Sequence, residues 1–417
     1  MSMFNFMTSG RVVFGAGALV NSLSLIRQYG YSVLLVTGKG TQRSSVILDY
    51  LDQQKLRYQH IVIGNEPNIT MVEEAATMGR KFRPEVVVAF GGGSVIDMGK
   101  ALAAVIPNQG NVYDYVETLG RAVPLKTRPL PIVAIPTTAG TGSEVTQNAV
   151  LRSGQDKLKV SLRDPDMLPR LAIIDPTLTY GTSRDVSARG AMDSFTHLME
   201  AYVCNQPNPF SDMLCEEGFR RISRSLVEAC LYDSHKARQD LSFAAMLGGM
   251  ALANAKLGAV HGLASALGGE LNAPHGVITA RLAPLVMREN ILNAEANNQK
   301  VVLERYQKMA QMLTMKSNAN VYDGVQWVES VLATLGIPSL TEFGMCHTRF
   351  DEVADNALKS EDIGGNNGQI DKQRMITILE SACAFEGCQT TQLEPVNGYY
   401  LRELVADSMA AMSEAPR

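Results

Sequence analysis

Five short runs of β-branched and aliphatic residues, at 32–37, 60–64, 85–90, 131–135 and 171–174, constrain the fold of this chain more than any other feature. Runs of this length and composition suit strands buried in a core. Helix-like stretches at 44–54, 71–81 and 96–105 stand between them. Such alternation describes a parallel sheet covered on both faces. After Pro176 the β-type runs stop, and stretches rich in Ala, Leu, Met and charged residues follow at 192–204, 212–231, 238–257 and 300–315. The expected architecture is an α/β unit with a parallel sheet over residues 1–185 and an all-α unit over residues 186–417, with the boundary near 183–187. A chain of 417 residues has room for two such units. The Gly/Asn-rich stretch 363–370 reads as a surface loop between helices.

Composition narrows the functional classes. A hydrophobic share of 46% with 19% charged residues describes an ordinary globular protein able to bury a large core. The formal charge of -4 supplies no broad attraction for phosphate backbones, so nucleic acid is not an expected partner. The N-terminus lacks the basic and continuous apolar segments of a signal peptide, and no run of about 18 apolar residues follows. The expected location is cytoplasmic, with no membrane partner. Six cysteines show neither close CxxC pairs nor the density of a disulfide scaffold, and all are expected to be buried thiols. The spacing of Cys383 and Cys388 is not a redox motif.

Two glycine-rich segments follow strands. In Phe90-Gly91-Gly92-Gly93-Ser94-Val95-Ile96-Asp97, backbone amides at the start of a helix are placed to face a pyrophosphate, although a tight turn without a ligand has the same pattern. The stretch from Ile135 to Thr146, with Thr137, Thr138, Thr141 and Ser143 around Gly140 and Gly142, suits either ribose and phosphate oxygens or a self-capping Ser/Thr turn. Both lie at the C-terminal ends of parallel strands, where open α/β sheets bind ligands. Gly15-Ala16-Gly17 begins like a dinucleotide fingerprint, but Val20 holds the third glycine position, so it reads as a turn.

Asp193 and His197 are four residues apart in a helical stretch and emerge from one face, able to share a cation. His261 and His275 sit in apolar, glycine-rich surroundings. A helix that ends at Gly268-Gly269 and turns back through Pro274 brings His275 toward His261, giving one carboxylate and three imidazoles. Two buried histidines bonded to backbone carbonyls remain the alternative. His60, His235 and His347 read as surface residues.

At this point the sequence resembles the iron-containing alcohol dehydrogenase family, in the superfamily shared with glycerol dehydrogenase and dehydroquinate synthase. The resemblance runs from about Phe4 to Glu386. It rests on Gly91-Gly92-Gly93-Ser94 with Asp97 and Lys100, on Pro136 to Glu144, and on Asp193, His197, Glu200, His261 and His275. It implies a nucleotide-binding α/β domain, a helical domain holding the metal, and an active site in the cleft between them. It further implies cofactor contacts from Gly92, Gly93, Ser94, Asp97, Thr137, Thr138, Thr141 and Lys159, and metal ligation by Asp193, His197, His261 and His275. The implied chemistry is hydride exchange between an alcohol or aldehyde and NAD or NADP, with the cation polarising the oxygen. Fe2+ is the family's metal, and the usual affinity order admits Zn2+. Relatives are frequently dimers, so a homo-oligomer is expected.

Two departures matter. Many family members carry a second histidine four residues after the position of His261, and here that position is Ser265, whose hydroxyl is no base near neutral pH without activation. Members that favour NAD often have an aspartate at the end of the strand that is Val33 to Thr37 here, where this chain has Gly38, then Lys39 and later Arg43, which leans toward NADP. The competing readings are a lyase resembling dehydroquinate synthase and a non-catalytic ligand-binding descendant. The absence of Lys or Arg from residues 260–277 counts against the lyase, whose substrate is anionic.

Overall fold

The computed structural model describes residues 3–117, 121–154 and 158–384, so Cys388 and the end of the expected helical unit lie outside the described residues. Its first half is built on one parallel sheet. The strands are β1 (Val12–Phe14), β2 (Ser32–Gly38), β3 (Arg57–Ile63), β4 (Val86–Gly91), β5 (Ile132–Pro136), an antiparallel pair of β6 (Asn148–Ser153) and β7 (Leu158–Arg163), and β8 (Leu171–Ile174). The sheet runs β1-β8-β5-β4-β2-β3. Four helices accompany it, α1 (Ala18–Ser22), α2 (Thr41–Gln53), α3 (Ile69–Phe82) and α4 (Gly93–Val105).

Successive side chains of a strand point to opposite faces. Leu34, Val36 and Val87 pack with Val72, Ala76, Met98 and Leu102 of α3 and α4. Their neighbours Val33, Leu35, Val86 and Val88 pack with Leu19, Ile47 and Leu51 of α1 and α2. Both faces are thus dry, so every position in β2 and β4 calls for an apolar or small residue. The β6–β7 pair was not anticipated from the sequence: only Ala149, Leu151, Val160 and Leu162 enter the core, and apart from the exposed Val150 the alternate positions are polar. Gly15-Ala16-Gly17 is a turn, with Gly17 in the left-handed region before α1.

The second half is helical among its described residues: α5 (Arg184–Val203), α6 (Pro209–Tyr232), α7 (His235–Asn254), α8 (Ala259–Glu270), α9 (His275–Ala296), α10 (Lys300–Thr314), α11 (Val321–Leu335), α12 (Phe350–Ala357) and α13 (Lys372–Ala384). Their starts are written locally. Ser183 accepts from Val186 N at α5, and Asn208 and Ser211 form a capping box at α6 ahead of Pro209. No single helix among the described residues is long and apolar enough to cross a membrane.

Three sequence expectations are corrected. Cys204, Cys215 and Cys230 are buried free thiols, but Cys346 and Cys383 form a disulfide with their Cα atoms 6.0 Å apart. The pairing arises because α13 returns to the turn beside Leu340–Phe343, and a separation of 37 residues leaves no local signature. His60 is half-buried and shares a 2.8 Å hydrogen bond with Thr37 Oγ1, because β2 and β3 are neighbours. The stretch 363–370 is not a simple surface loop: Gly365, Asn366 and Ile370 are buried. Gly365 presses so closely on Leu257 that an added Cβ would stand 2.1 Å from its carbonyl oxygen.

Candidate metal and cofactor site

At the C-terminal edge of the sheet the two glycine-rich segments lie side by side. Gly91 at the end of β4 is in register with Pro136 at the end of β5, and Thr137 N donates to Gly91 O at 2.9 Å. Gly92 caps α4 without a side-chain hydrogen bond, so the first amides of that helix are free to meet an anion. A Cβ at Gly92 would stand 3.3 Å from Thr138 Oγ1, and one at Gly93 would stand 2.6 Å from the Thr141 side chain. The glycines therefore keep a shallow backbone cradle open beside two threonine hydroxyls, with half-buried Ser94 next in the helix.

Asp97 is used differently from the sequence expectation of a cofactor contact. Ser143 Oγ donates to its Oδ1, Val150 N donates to Oδ2 at 3.2 Å, and Lys100 Nζ lies 3.5 Å from Oδ1. Both oxygens are already engaged within the protein. Lys100, fully buried, donates to Thr146 Oγ1 at 2.9 Å. This network ties α4 to the second glycine-rich segment. Thr141 Oγ1 also accepts from Ser143 N at 3.2 Å, so the self-capping turn considered from sequence is present.

Lys159, on β7, pairs with Glu66 at 2.9 Å and lies along Gly268 of α8. Lys39, which follows Gly38, extends over Gly64 in the turn after β3. Arg43 instead donates to the carbonyls of Leu178 and Tyr180, at 3.3 and 3.4 Å.

Asp193, His197 and Glu200 occupy one face of α5, as their spacing requires. α8 runs to Glu270, and α9 begins at His275 directly after Pro274. Gly276 lets that start approach α5 closely, since a Cβ there would stand 2.3 Å from Arg189 O. The ligand atoms of Asp193, His261 and His275 consequently lie within 4.8 Å of one another. His197 does not join that group in this arrangement. Its ring stacks on His261, with centroids 4.8 Å apart.

Hydrogen bonding explains why these rings suit a cation. The Glu200 carboxylate accepts from Val260 N at 2.7 Å and sits 2.6 Å from His261 Nδ1. It caps the first turn of α8 and holds the proton on Nδ1, which leaves the lone pair on Nε2. His261 Nε2, His197 Nδ1 and His275 Nδ1 are buried without a hydrogen-bond partner among the described residues. Three buried imidazoles, each with an unpartnered nitrogen, beside a carboxylate that His275 Nε2 approaches to 3.9 Å, fit a divalent cation by donor chemistry and by the cost of leaving those nitrogens unpaired. Backbone-bonded histidines, the alternative, do not describe them.

Burial shapes the charge state. Desolvation lowers His197 to about 4 and His275 to about 3, against the pull of Asp193. Burial also works to lower His261, but the bond to Glu200 overcomes it and raises that ring. At Asp193 burial acts upward, and the surrounding imidazoles with the Thr279 hydroxyl, 3.1 Å from Oδ1, hold the carboxyl below its usual range. Thr279, one turn into α9, was not found from sequence. Glu200 carried a usable signal, since it follows His197 by three residues on the same face. Ser265 is half-buried, one turn after His261.

Residues 9–176 match the iron-containing alcohol dehydrogenase family, and residues 187–383 match the C-terminal part of the Fe-containing alcohol dehydrogenase family. The chain is 32% identical over 399 residues to 1,3-propanediol dehydrogenase of Klebsiella pneumoniae, covering 91% of this chain and 99% of that one. It is 29% identical over 401 residues to NADPH-dependent butanol dehydrogenase of Clostridium saccharobutylicum, covering 93% and 99%. The solved structure of 1,3-propanediol oxidoreductase superposes with a TM-score of 0.81 at 30% identity, covering 91% of this chain and all of that one, 100%.

Proposed function

This chain belongs to the iron-containing alcohol dehydrogenase family and is a metal-dependent alcohol dehydrogenase, and from that premise we propose that Asp193, His197, His261 and His275 bind its cation. The family uses a metal with NAD(P). When bound, the cation supplies Lewis acidity to the substrate oxygen and the nicotinamide exchanges the hydride. The observation that carries the ligand assignment is the set of unpartnered, desolvated imidazole nitrogens around Asp193.

The chain's own groups prepare that chemistry. Glu200 fixes the tautomer of His261, and desolvation keeps His197 and His275 neutral, with lone pairs available. His197, stacked on His261, would supply the third imidazole of the set. Gly92, Gly93 and Ser94 offer amides to a pyrophosphate, and Thr137, Thr138 and Thr141 offer hydroxyls. Asp97 stiffens this cradle from behind, and Lys159 borders it on the side of α8. Ser265 takes no proton by itself at neutral pH, so the proton passes through water, the cofactor ribose or another side chain; an unchanged rate and pH profile in Ser265→His would remove this position from proton transfer.

Fe2+ is the metal we assign, with Zn2+ able to replace it by ligand affinity. We assign NADP over NAD, because Gly38 leaves no carboxylate to repel a 2′-phosphate and Lys39 lies beside it; kinetics with both cofactors test this, and a strong NAD preference overturns it. The substrates are small alcohols or aldehydes, the protein acts in the cytoplasm as a homodimer, and its units are residues 1–185 and 186–417. The relatives matched are dehydrogenases, which leaves the lyase and non-catalytic alternatives without support.

Metal analysis joined to an alcohol and aldehyde panel tests the assignment. Glu200→Gln weakens metal affinity by about 10- to 100-fold, the effect expected on losing a carboxylate that orients a ligating histidine. Unchanged affinity measured by competition with a chelator removes Glu200 from this role, and a parent protein that retains no divalent metal removes the site.

A further inference from the structure

Residues Glu361–Gly365 form a short 3-10 turn fastened over the metal helices. Asn205 N donates to Gly365 O at 3.0 Å, and Asn205 Nδ2 donates to Gly364 O at 2.8 Å. Asn366 Nδ2 donates to Asn290 Oδ1 at 2.8 Å, and Asn290 returns a bond of 3.1 Å. Ile363 lies on Gly262, where a Cβ would stand 2.6 Å from the isoleucine side chain. Gly262 directly follows His261, so the turn is anchored beside the metal-binding residue of α8.

Asp362 precedes Ile363 in this turn. Burial pushes its carboxyl upward, with His261 and Arg163, at the end of β7, countering and Glu200 adding to the rise. The turn packs on α8, and α8 packs on β7. Asp362 is not among the ligand atoms gathered at the metal centre. Its surface remains partly open to solvent. Among the described residues, its carboxylate accepts one contact, from Ser360 Oγ at 3.5 Å. A carboxylate offers about four acceptor positions, and an enclosed one with few donors is costly.

We propose that Asp362 is a substrate-recognition residue that accepts a hydrogen bond from a donor at the far end of the substrate, selecting alcohols with a second hydroxyl or an ammonium over plain alkanols. This rests on the dehydrogenase reading above. The hydroxyl and the ammonium share the donor chemistry, and the ammonium adds charge attraction.

The test compares 1-propanol, 1,3-propanediol and 3-amino-1-propanol as substrates of the metal-loaded parent, Asp362→Asn and Asp362→Ala, with metal content matched across the three. The parent prefers the two donor-bearing substrates. Asp362→Ala reduces the ratio of kcat/KM for the diol over 1-propanol by about 10-fold or more, as expected on losing a hydrogen bond to a charged group, with KM moving more than kcat. Asp362→Asn keeps an acceptor oxygen, so it retains most of the diol preference and loses the added preference for the ammonium. A parent that favours 1-propanol, a ratio unchanged in Asp362→Ala, or equal losses on both substrates overturns the proposal. A metal-loaded parent that oxidises none of a broad alcohol panel overturns the dehydrogenase reading instead, and the proposal with it.

Discussion

At Gly93 an added Cβ would stand 2.6 Å from the Thr141 side chain, and at Gly142 it would stand 2.5 Å from the Gly249 backbone. The distances are nearly equal, but the neighbours differ. A threonine side chain can rotate away, whereas the α-carbon of a residue inside α7 is held by its helix. Gly142 also adopts φ 62°, the left-handed region that costs other residues strain. Gly140 repeats the pattern, meeting the Gly190 Cα of α5 at 2.9 Å. Two segments with the same glycine-rich character thus serve opposite purposes. The first keeps its backbone bare beside threonine side chains, where we propose the cofactor, and the second keeps it bare so that α5 and α7 can close onto the sheet.

That difference sets the largest expected effect. Gly142→Ala adds a backbone clash to an unfavourable φ, for a combined cost of about 2 to 5 kcal/mol. A drop in melting temperature large enough to be seen by circular dichroism follows, with or without cofactor present. A variant as stable as the parent would break the comparison, because the second segment would then have no packing reason for its glycine.

The same contrast explains what was legible beforehand. β2 and β4 were readable because each alternates between two apolar cores, so that Val33–Val36 and Val86–Phe90 are unbroken apolar runs. β7 was not, since Lys159, Ser161 and Arg163 interrupt its apolar positions. In the metal centre, Asp193 and His197 were tied by helical spacing alone. His261 and His275 depended on the family resemblance, because their meeting rests on Gly276 against Arg189 and on Glu200 reaching α8 across 60 residues. Asn366 was read as loop because glycine and asparagine mark turns, and nothing local reveals a partner such as Asn290, 76 residues away; Asp362, just before that stretch, carried no sequence signal at all. Asp97 fell between these cases. The motif identified it, but its orientation toward Ser143 and Val150 is decided by a strand that the sequence did not disclose.

Gly93→Ala sharpens the comparison from the other side. Thr141 can yield, so the melting temperature of the protein alone changes little. The new methyl nevertheless occupies the place where the backbone meets a pyrophosphate, and the dissociation constant for the nicotinamide cofactor rises by about 10-fold, roughly 1.4 kcal/mol. Fluorescence titration reads this directly. Unaltered cofactor binding would remove the first segment from the cofactor site, whereas a stability loss matching that of Gly142→Ala would make the two segments alike.

A third effect, visible only as a dependence on pH, belongs to the charge network joining the segments. Burial raises the Glu144 carboxyl from 4.5 to about 7, and the nearby Lys100 ammonium only partly offsets this. The folded protein therefore holds a proton that the unfolded chain releases near pH 4.5. Native stability from this group is complete below that pH, declines as pH rises toward 7, and is flat above. Asp97 is shifted in the same direction by its own burial, so Glu144→Gln removes part of the slope and not all of it. Melting temperatures of parent and variant measured from pH 5 to 8 converge at the acid end and separate in favour of the variant at the alkaline end. Parallel curves would show that the second segment buries Glu144 without a proton, and would place the pH dependence of this region on Asp97 in the first.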